Sequence, residues 1–449
     1  VLSSGEHGNY SIFLQGLEIA GYKQMLEGKA ILTIIAPDDD AFQTYLNKRG
    51  FTSISDMPVN EVSKLIGYHV LYYSYNKEKL VNFRPTGSTE TEEEQNIKAG
   101  LYYKHRTRSS DAPTVETTPT GASVMVYHLE RYLPIFSYRY FQTKGIDAKN
   151  NYEAFYPNST WTGDDGFNVS NASVKEYGII ANNGYIHAVD RVVEPLETIY
   201  TELKNKEKYS TFLDLYDSFG VYVADDELSK SYAKAYGVDT LYQYQHGGLP
   251  NIACEWPTSS YLNFTALTAL SYSIFAPSNT AINSFFDSFW KIGGYSSMQE
   301  VDALALNYFL YQFIYGGSML FPEELGDDEL KNLAGSSLNI NPAALNEKTM
   351  CVNGALYGMD EIKEPSTFAS VIGPLFQYKS ARSFLYALLG SSLFSSYVSD
   401  LSKYIVLVPT AEQFEASGIR TVYSTQGLEA EGDDGWGEIS NTAKQNIVY

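Results

Sequence analysis

The stretch NNGYIHAVDRVVEP, Asn182 to Pro195, decides how this chain is read, because the chain contains a second version of it. From Val352 to Pro365 stands VNGALYGMDEIKEP, with Asn, Gly, Asp, Glu and Pro in the same places. Asn183-Gly184 and Asn353-Gly354 are strong hairpin signals, since a type I′ turn needs positive φ at both central positions. YGIIA before the first pair and YIHAVDRVV after it are strand-like in composition. The expectation is a terminal hairpin, closed by Pro195 and Pro365, that appears twice because each of two modules completes its own sheet. His187 and Asp190 sit in the first copy, Tyr357 and Asp360 in the second.

Working outward, further anchors recur. YSIFLQGLEIAGY from Tyr10, YSTFLDLYDSFGV from Tyr209 and RSFLYALLGSSLF from Arg382 share a Phe-Leu pair within apolar residues at helical spacing, and each reads as an amphipathic helix opening a module. TIIAPDDDAF from Thr33, SIFAPSNTAI from Ser273 and IVLVPTAEQF from Ile405 each read as a strand ending at proline, then a capped helix. Pro37 to Tyr68 and Pro277 to Tyr308 both span 31 residues, which marks them as copies. Unequal spacings elsewhere place insertions at about 85–154 in the first module and about 223–265 in the second. Insertions are expected on surface loops, where binding residues concentrate. The second holds Tyr232, Tyr236, Tyr242 and Tyr244.

Composition excludes several classes. A length of 449 residues suggests about three domains, and 44% hydrophobic residues suffices for real cores. A net charge of −21 repels phosphate backbones, so nucleic acid is not an expected partner. Cys254 and Cys351 form no C-x-x-C pair and no Cys/His cluster, so no zinc site is expected, and a disulfide between them is left open. No run of about 18 apolar residues spans a membrane. Any signal peptide is expected to have been removed or to lie outside residues 1–449, as is any lipid anchor.

Taken together, TIIAPDDDAF, the Tyr68-His69 pair and NNGYIHAVDRVVEP resemble the fasciclin domain, whose motifs are a strand ending in APTDxAF, a Tyr-His pair and an NGxIHxIDxVLxP finish. The resemblance implies an α+β fold of tandem fasciclin-like modules, each a twisted β-sandwich or wedge with packed helices. The expected divisions are 1–203, 204–368 and an incomplete third module at 369–449, with NTAKQNIVY matching VSKLIGYHV and the chain cut short inside that module. It also implies adhesion or matrix interaction at the cell surface, and Tyr68 and His69 as contact residues by analogy with integrin-binding members. The second module departs from the pattern, with Tyr308-Phe309 at the Tyr-His site.

Chemistry beyond binding finds little support. Tyr68 and His69 also read as half-buried residues satisfying backbone groups. Asp38, Asp39 and Asp40 read as helix-capping residues rather than a cation site, and the EF-hand spacing is absent. There is no G-x-S-x-G, no Cys/His nucleophile context and no H-E-x-x-H, so neither an enzyme nor a cofactor is expected. Sequons begin at Asn9, Asn158, Asn168, Asn171 and Asn263. The high tyrosine and low lysine content resembles bacterial surface lipoproteins, which would mean outer-membrane anchoring. Two functions follow: an exported surface protein adhering to cell-surface or matrix proteins, or a glycan-binding surface protein using insertion tyrosines. A platform of two or three exposed rings beside carboxamides or carboxylates would favour the second, a broad mixed patch the first.

Overall fold

The computed structural model describes residues 1–82, 103–256, 271–327, 329–338, 340–391, 393–394, 397 and 403–449. Parts of both insertions, and Asn263, lie outside the described residues.

The first module is organised around β1 (Leu32–Pro37), whose six residues are all buried. A strand apolar on both faces needs neighbours on both edges. They are β2 (Val70–Tyr72), antiparallel, and β9 (Gly184–Val189), parallel from Leu32↔Gly184 to Pro37↔Val189. Beyond β9 come β8 (Ala172–Ala181), β7 (Phe167–Val169), β6 (Tyr132–Ser137) and β3 (Lys104–Arg106), giving the order β2-β1-β9-β8-β7-β6-β3. The two ends curl together, Leu71 bridging Thr107, which closes the wedge.

The second module repeats the centre of this sheet. β12 (Tyr272–Pro277) pairs antiparallel with β13 (Ile314–Gly316) and parallel with β15 (Gly354–Met359), in the same register from Tyr272↔Gly354 to Pro277↔Met359. β14 (Leu345–Cys351) completes the order β13-β12-β15-β14, which matches β2-β1-β9-β8 strand for strand.

The helices repeat as well. α1 (Ser11–Ile19), α2 (Asp39–Arg49) and α3 (Val59–Tyr68) correspond to α4 (Ser210–Asp217), α6 (Asn279–Phe285) and α7 (Ala303–Tyr311), while α5 (Asp226–Tyr232) belongs to the second insertion. Asp38 accepts the N–H of Ala41 at 2.9 Å and Ser278 that of Ala281 at 3.4 Å, so each strand-Pro corner runs into a capped helix. The next residue ties that corner back to the opening helix. Asp39 accepts from Ile12 N–H at 2.8 Å, and Asn279 from Thr211 N–H at 2.9 Å.

Two sequence expectations need correction. The hairpin turns are not type I′. Ala181 pairs with Gly184 and Cys351 with Gly354, so the loop residues are Asn182-Asn183 and Val352-Asn353, none of which has positive φ. The glycines serve close approach instead: a Cβ on Gly184 would lie 1.8 Å from the Leu32 carbonyl oxygen, and one on Gly354 1.9 Å from that of Tyr272. The asparagines hold the lead-in to the central strand. Asn183 donates to the carbonyls of Leu26 and Ala30, Asn353 to those of Ile252 and Cys254.

Nor is the first insertion a surface loop. It supplies β3 and β6 to the main sheet, and all six residues of β6 are buried because Leu133, Ile135 and Phe136 fit a strand covered on both faces. Its Phe141 and Phe155 run into the second module, with Phe141 4.9 Å from Phe321 and Phe155 5.8 Å from Tyr357, ring to ring. Lys144 meets Glu324 at 2.8 Å beside them, so this part of the first module shares a continuous core with the second, while β1 and its helices keep cores of their own.

In the C-terminal part, α8 (Arg382–Leu389) packs against α10 (Asn441–Val448) as α1 packs against α3. α9 (Ala411–Ala416) is capped by Thr410, which accepts from Gln413 N–H at 3.4 Å. β16 (Ile419–Val422), β17 (Gly427–Gly432) and β18 (Gly435–Glu438) form an antiparallel meander. Residues 404–409, expected as a strand, form none. No strand pairs with them among the described residues, and a strand exists only through its neighbours' hydrogen bonds.

Candidate functional site

The Tyr-His pair is internal. α3 ends at Tyr68, whose hydroxyl donates to the Tyr132 carbonyl at 2.8 Å, and His69 follows as its C-cap. Both side chains are fully buried. His69 Nε2 accepts from Val193 N–H at 3.1 Å and Nδ1 donates to the Leu65 carbonyl at 2.9 Å, which fixes a neutral tautomer. Burial pushes this imidazole down to about 4. In the second module the place of His69 is taken by buried Phe313, whose carbonyl accepts Phe275 N–H at 2.9 Å as that of His69 accepts Ile35 N–H. The equal spacing that put Tyr308-Phe309 at this site is thus corrected by four residues, since α7 runs on to Tyr311 before its strand begins.

His187 has an equally internal role. Its Nδ1 accepts from Gly178 N–H at 3.2 Å, and its Nε2 donates to the Tyr75 carbonyl at 3.0 Å. Burial likewise lowers it to about 4. Tyr357, its counterpart, donates to the Leu320 carbonyl at 2.6 Å, so a phenol and an imidazole do the same work in the two modules. Asp190 accepts from Ser173 N–H at 2.8 Å, and Asp360 pairs with Lys208 at 2.7 Å. No cluster of metal-ligating side chains occurs among the described residues.

The insertion tyrosines lie around a sheet that neither insertion could form alone. β10 (Gly220–Ala224) and β11 (Tyr242–His246), from the second module, continue into β5 (Ser123–Val126) and β4 (Thr114–Thr117), from the first. The joint is parallel, Tyr242 opposite Val126, with Tyr127 N–H donating to the Tyr242 carbonyl at 2.9 Å. The insertions are also clamped nearby. Trp256, buried, donates to the Glu130 carbonyl at 2.7 Å, and Glu255 accepts from Leu129 N–H at 3.1 Å.

Successive residues of a strand point to opposite faces, so the pairings sort this sheet into two. One face carries Tyr222, Tyr242 and Tyr244 and turns toward carboxylates. Tyr244 donates to Asp217 at 2.9 Å, Tyr222 to Glu116 at 2.9 Å, and Tyr200 to Asp217 at 3.2 Å. Burial, then the neighbouring Asp217, pushes the Tyr244 phenol well up. The other face carries Val221, Val223, Gln243, Gln245, Met125 and Val115, and its three valines are exposed. Tyr127 joins this face, with Tyr232 stacked on it at 5.1 Å and 10° and Tyr236 edge-on at 6.2 Å.

The structure thus brings Tyr232 and Tyr236 together, puts Tyr242 and Tyr244 on the opposite face, and leaves Tyr68 and His69 in the core. Sequence reasoning missed Tyr127, Val115, Val221 and Val223. Tyr127 belongs to the other insertion, and the valines form one surface only through the inter-insertion pairing, which leaves no local pattern. Of the sequons, Asn168 is fully buried and donates to Tyr152, Thr160 and Ala172. Cys254 and Cys351 are buried free thiols.

Residues 8–134 match the family model of the fasciclin domain. The chain therefore carries a fasciclin domain, and the repeated sheet makes it a tandem fasciclin-like α+β protein. Among solved structures, it is similar to a FAS1 domain pair from the insect cell adhesion molecule Fasciclin I, at 12% identity over 80% of this chain and 98% of that one, with a TM-score of 0.27. No curated protein matches it. Fasciclin domains are linked to cell adhesion and are typically extracellular or surface-exposed. No described helix is long and apolar enough to cross a membrane.

Proposed function

We propose that this is an exported cell-surface protein whose tandem modules hold the shared insertion sheet out as an adhesive surface for cell-surface or matrix proteins. The observation carrying this reading is the exposed face of Val115, Val221 and Val223 with Tyr232 and Tyr236 at its edge. Apolar side chains gathered on one exposed sheet face, here beside the half-buried Gln245, are characteristic of protein interaction sites. The fasciclin match supports the same reading.

Glycan binding is the second reading, supported by the three grouped rings Tyr127, Tyr232 and Tyr236. Against it, the Tyr127 and Tyr232 rings cover each other's faces, which reduces the surface free to stack on a sugar.

The test is a binding screen of the purified chain against panels of matrix proteins, cell-surface proteins and glycans. The double variant Val221→Lys, Val223→Lys is expected to lose a protein signal by about tenfold or more, because two apolar contacts become charged. Glycan binding that survives this variant and falls with Tyr236→Ala would replace the adhesion reading.

A further inference from the structure

We infer that the two insertions are joined by a proton-dependent clasp centred on His128, tight when its ring is protonated and slack when it is not. His128 follows β5 in the first insertion, and its ring stands between two acceptors. Nδ1 lies 3.2 Å from Oε1 of Glu255, in the second insertion, and Nε2 lies 3.4 Å from Oγ1 of Thr114, at the start of β4. Thr114 in turn lies 3.0 Å from Oε1 of Glu116, whose Oε2 accepts from the Tyr222 hydroxyl of β10 at 2.9 Å. The chain Glu255–His128–Thr114–Glu116–Tyr222 starts and ends in the second module and passes through the first.

Counting protons fixes the charge of the ring. The contacts Glu255–His128, His128–Thr114 and Thr114–Glu116 each need one proton. Ionised carboxylates donate none, the Thr114 hydroxyl supplies one, and a neutral imidazole supplies one more. The last is present only when His128 is an imidazolium, with both nitrogens donating and the Thr114 hydroxyl turned to Glu116. A neutral ring leaves one of these contacts as two acceptors face to face. The edge strand β4 is then the element that gives, since among the described residues it pairs with β5 alone.

The surroundings support the charge. Burial of the ring opposes it, but the Glu255 carboxylate and then Asp111 outweigh burial and raise this imidazole above its ordinary value, with Arg131 acting against them. Arg131 is itself paired with Asp111 and Glu197, and Lys64 with the same two carboxylates, so two cations there face two anions. The Glu255 side chain is 4% exposed and that of His128 24%, which limits screening of their attraction. For a raised group the contribution is complete below about 6.5, the ordinary histidine value, and is lost as pH rises through the value in the folded protein.

The test uses the 449-residue chain, isotope-labelled at its histidine nitrogens, with the His128 signals identified by their absence from His128→Gln. Nitrogen NMR should show both His128 nitrogens protonated at about pH 6, and a titration midpoint above about 6.5. Glu255→Gln should lower that midpoint by about one pH unit or more. Hydrogen exchange of β4 and β5, corrected for intrinsic rate, should be slower at low pH than at high pH, and His128→Gln should remove the difference. The inference is overturned by a ring already neutral at about pH 6 or a midpoint at or below about 6.5, both read on the unsubstituted chain. It is equally overturned by a midpoint that Glu255→Gln leaves in place, or by protection whose pH dependence persists in His128→Gln.

Discussion

The imidazole of His69 accepts the backbone N–H of Val193 at 3.1 Å, so the end of α3 is joined to the segment just past the terminal hairpin. That bond requires a neutral ring, and burial holds both His69 and His187 near 4, against about 6.5 in an unfolded chain. A depressed pKa means that the unfolded state takes up protons first. Stability from these residues is fully present above about 6.5 and is lost as pH falls toward 4, on the order of 3 kcal/mol for each residue. Urea unfolding followed across this range should show the loss. His187→Tyr, which imports the solution used at Tyr357, should flatten part of the slope.

Gly354 lies against the Tyr272 carbonyl with no room for a side chain. Gly354→Val is expected to cost about 3 kcal/mol or more, since the obstacle is backbone in a central strand. Gly184→Val should behave alike, and thermal unfolding of the two variants measures both.

Asn353 does more than its counterpart. Besides holding Ile252 and Cys254, it accepts from Ile199 N–H at 3.0 Å, so it also joins the inter-module segment. It is fully buried, whereas Asn183 is partly exposed. Asn353→Ala should cost about 2–4 kcal/mol, leaving several buried groups unpaired, and Asn183→Ala less. Denaturant titrations of the pair provide the comparison.

Cys254 and Cys351 are 5% and 2% exposed, and burial raises both thiols. Neither should react with a thiol reagent in the native protein, and both should react in denaturant. Prompt labelling of either in buffer would contradict this packing.

What was legible in the sequence was local. The helix caps after each proline read correctly because Asp38, Ser278 and Thr410 act within three residues of themselves. The paired hairpins were found from Asn183 and Asn353, yet their turn type was misassigned. Composition identifies a hairpin but not where register places the loop, and Gly184 and Gly354 turned out to be constrained by a strand distant in sequence. The Tyr127 cluster was out of reach for the same reason, since it depends on Tyr242 meeting Val126 across two modules. Residues 404–409 show the converse: a strand-like composition stays irregular where no neighbour pairs with it.

The bridge between the insertions has a mechanical consequence. Modules joined only by a peptide linker swing independently and take up load one after another. Here the first and second modules are connected through the main chain, through contacts such as Phe141–Phe321 and Lys144–Glu324, and through the shared sheet. Tension applied to the exposed face of the insertion sheet is divided among these parallel routes, so the two modules should bear it as a single stiff body.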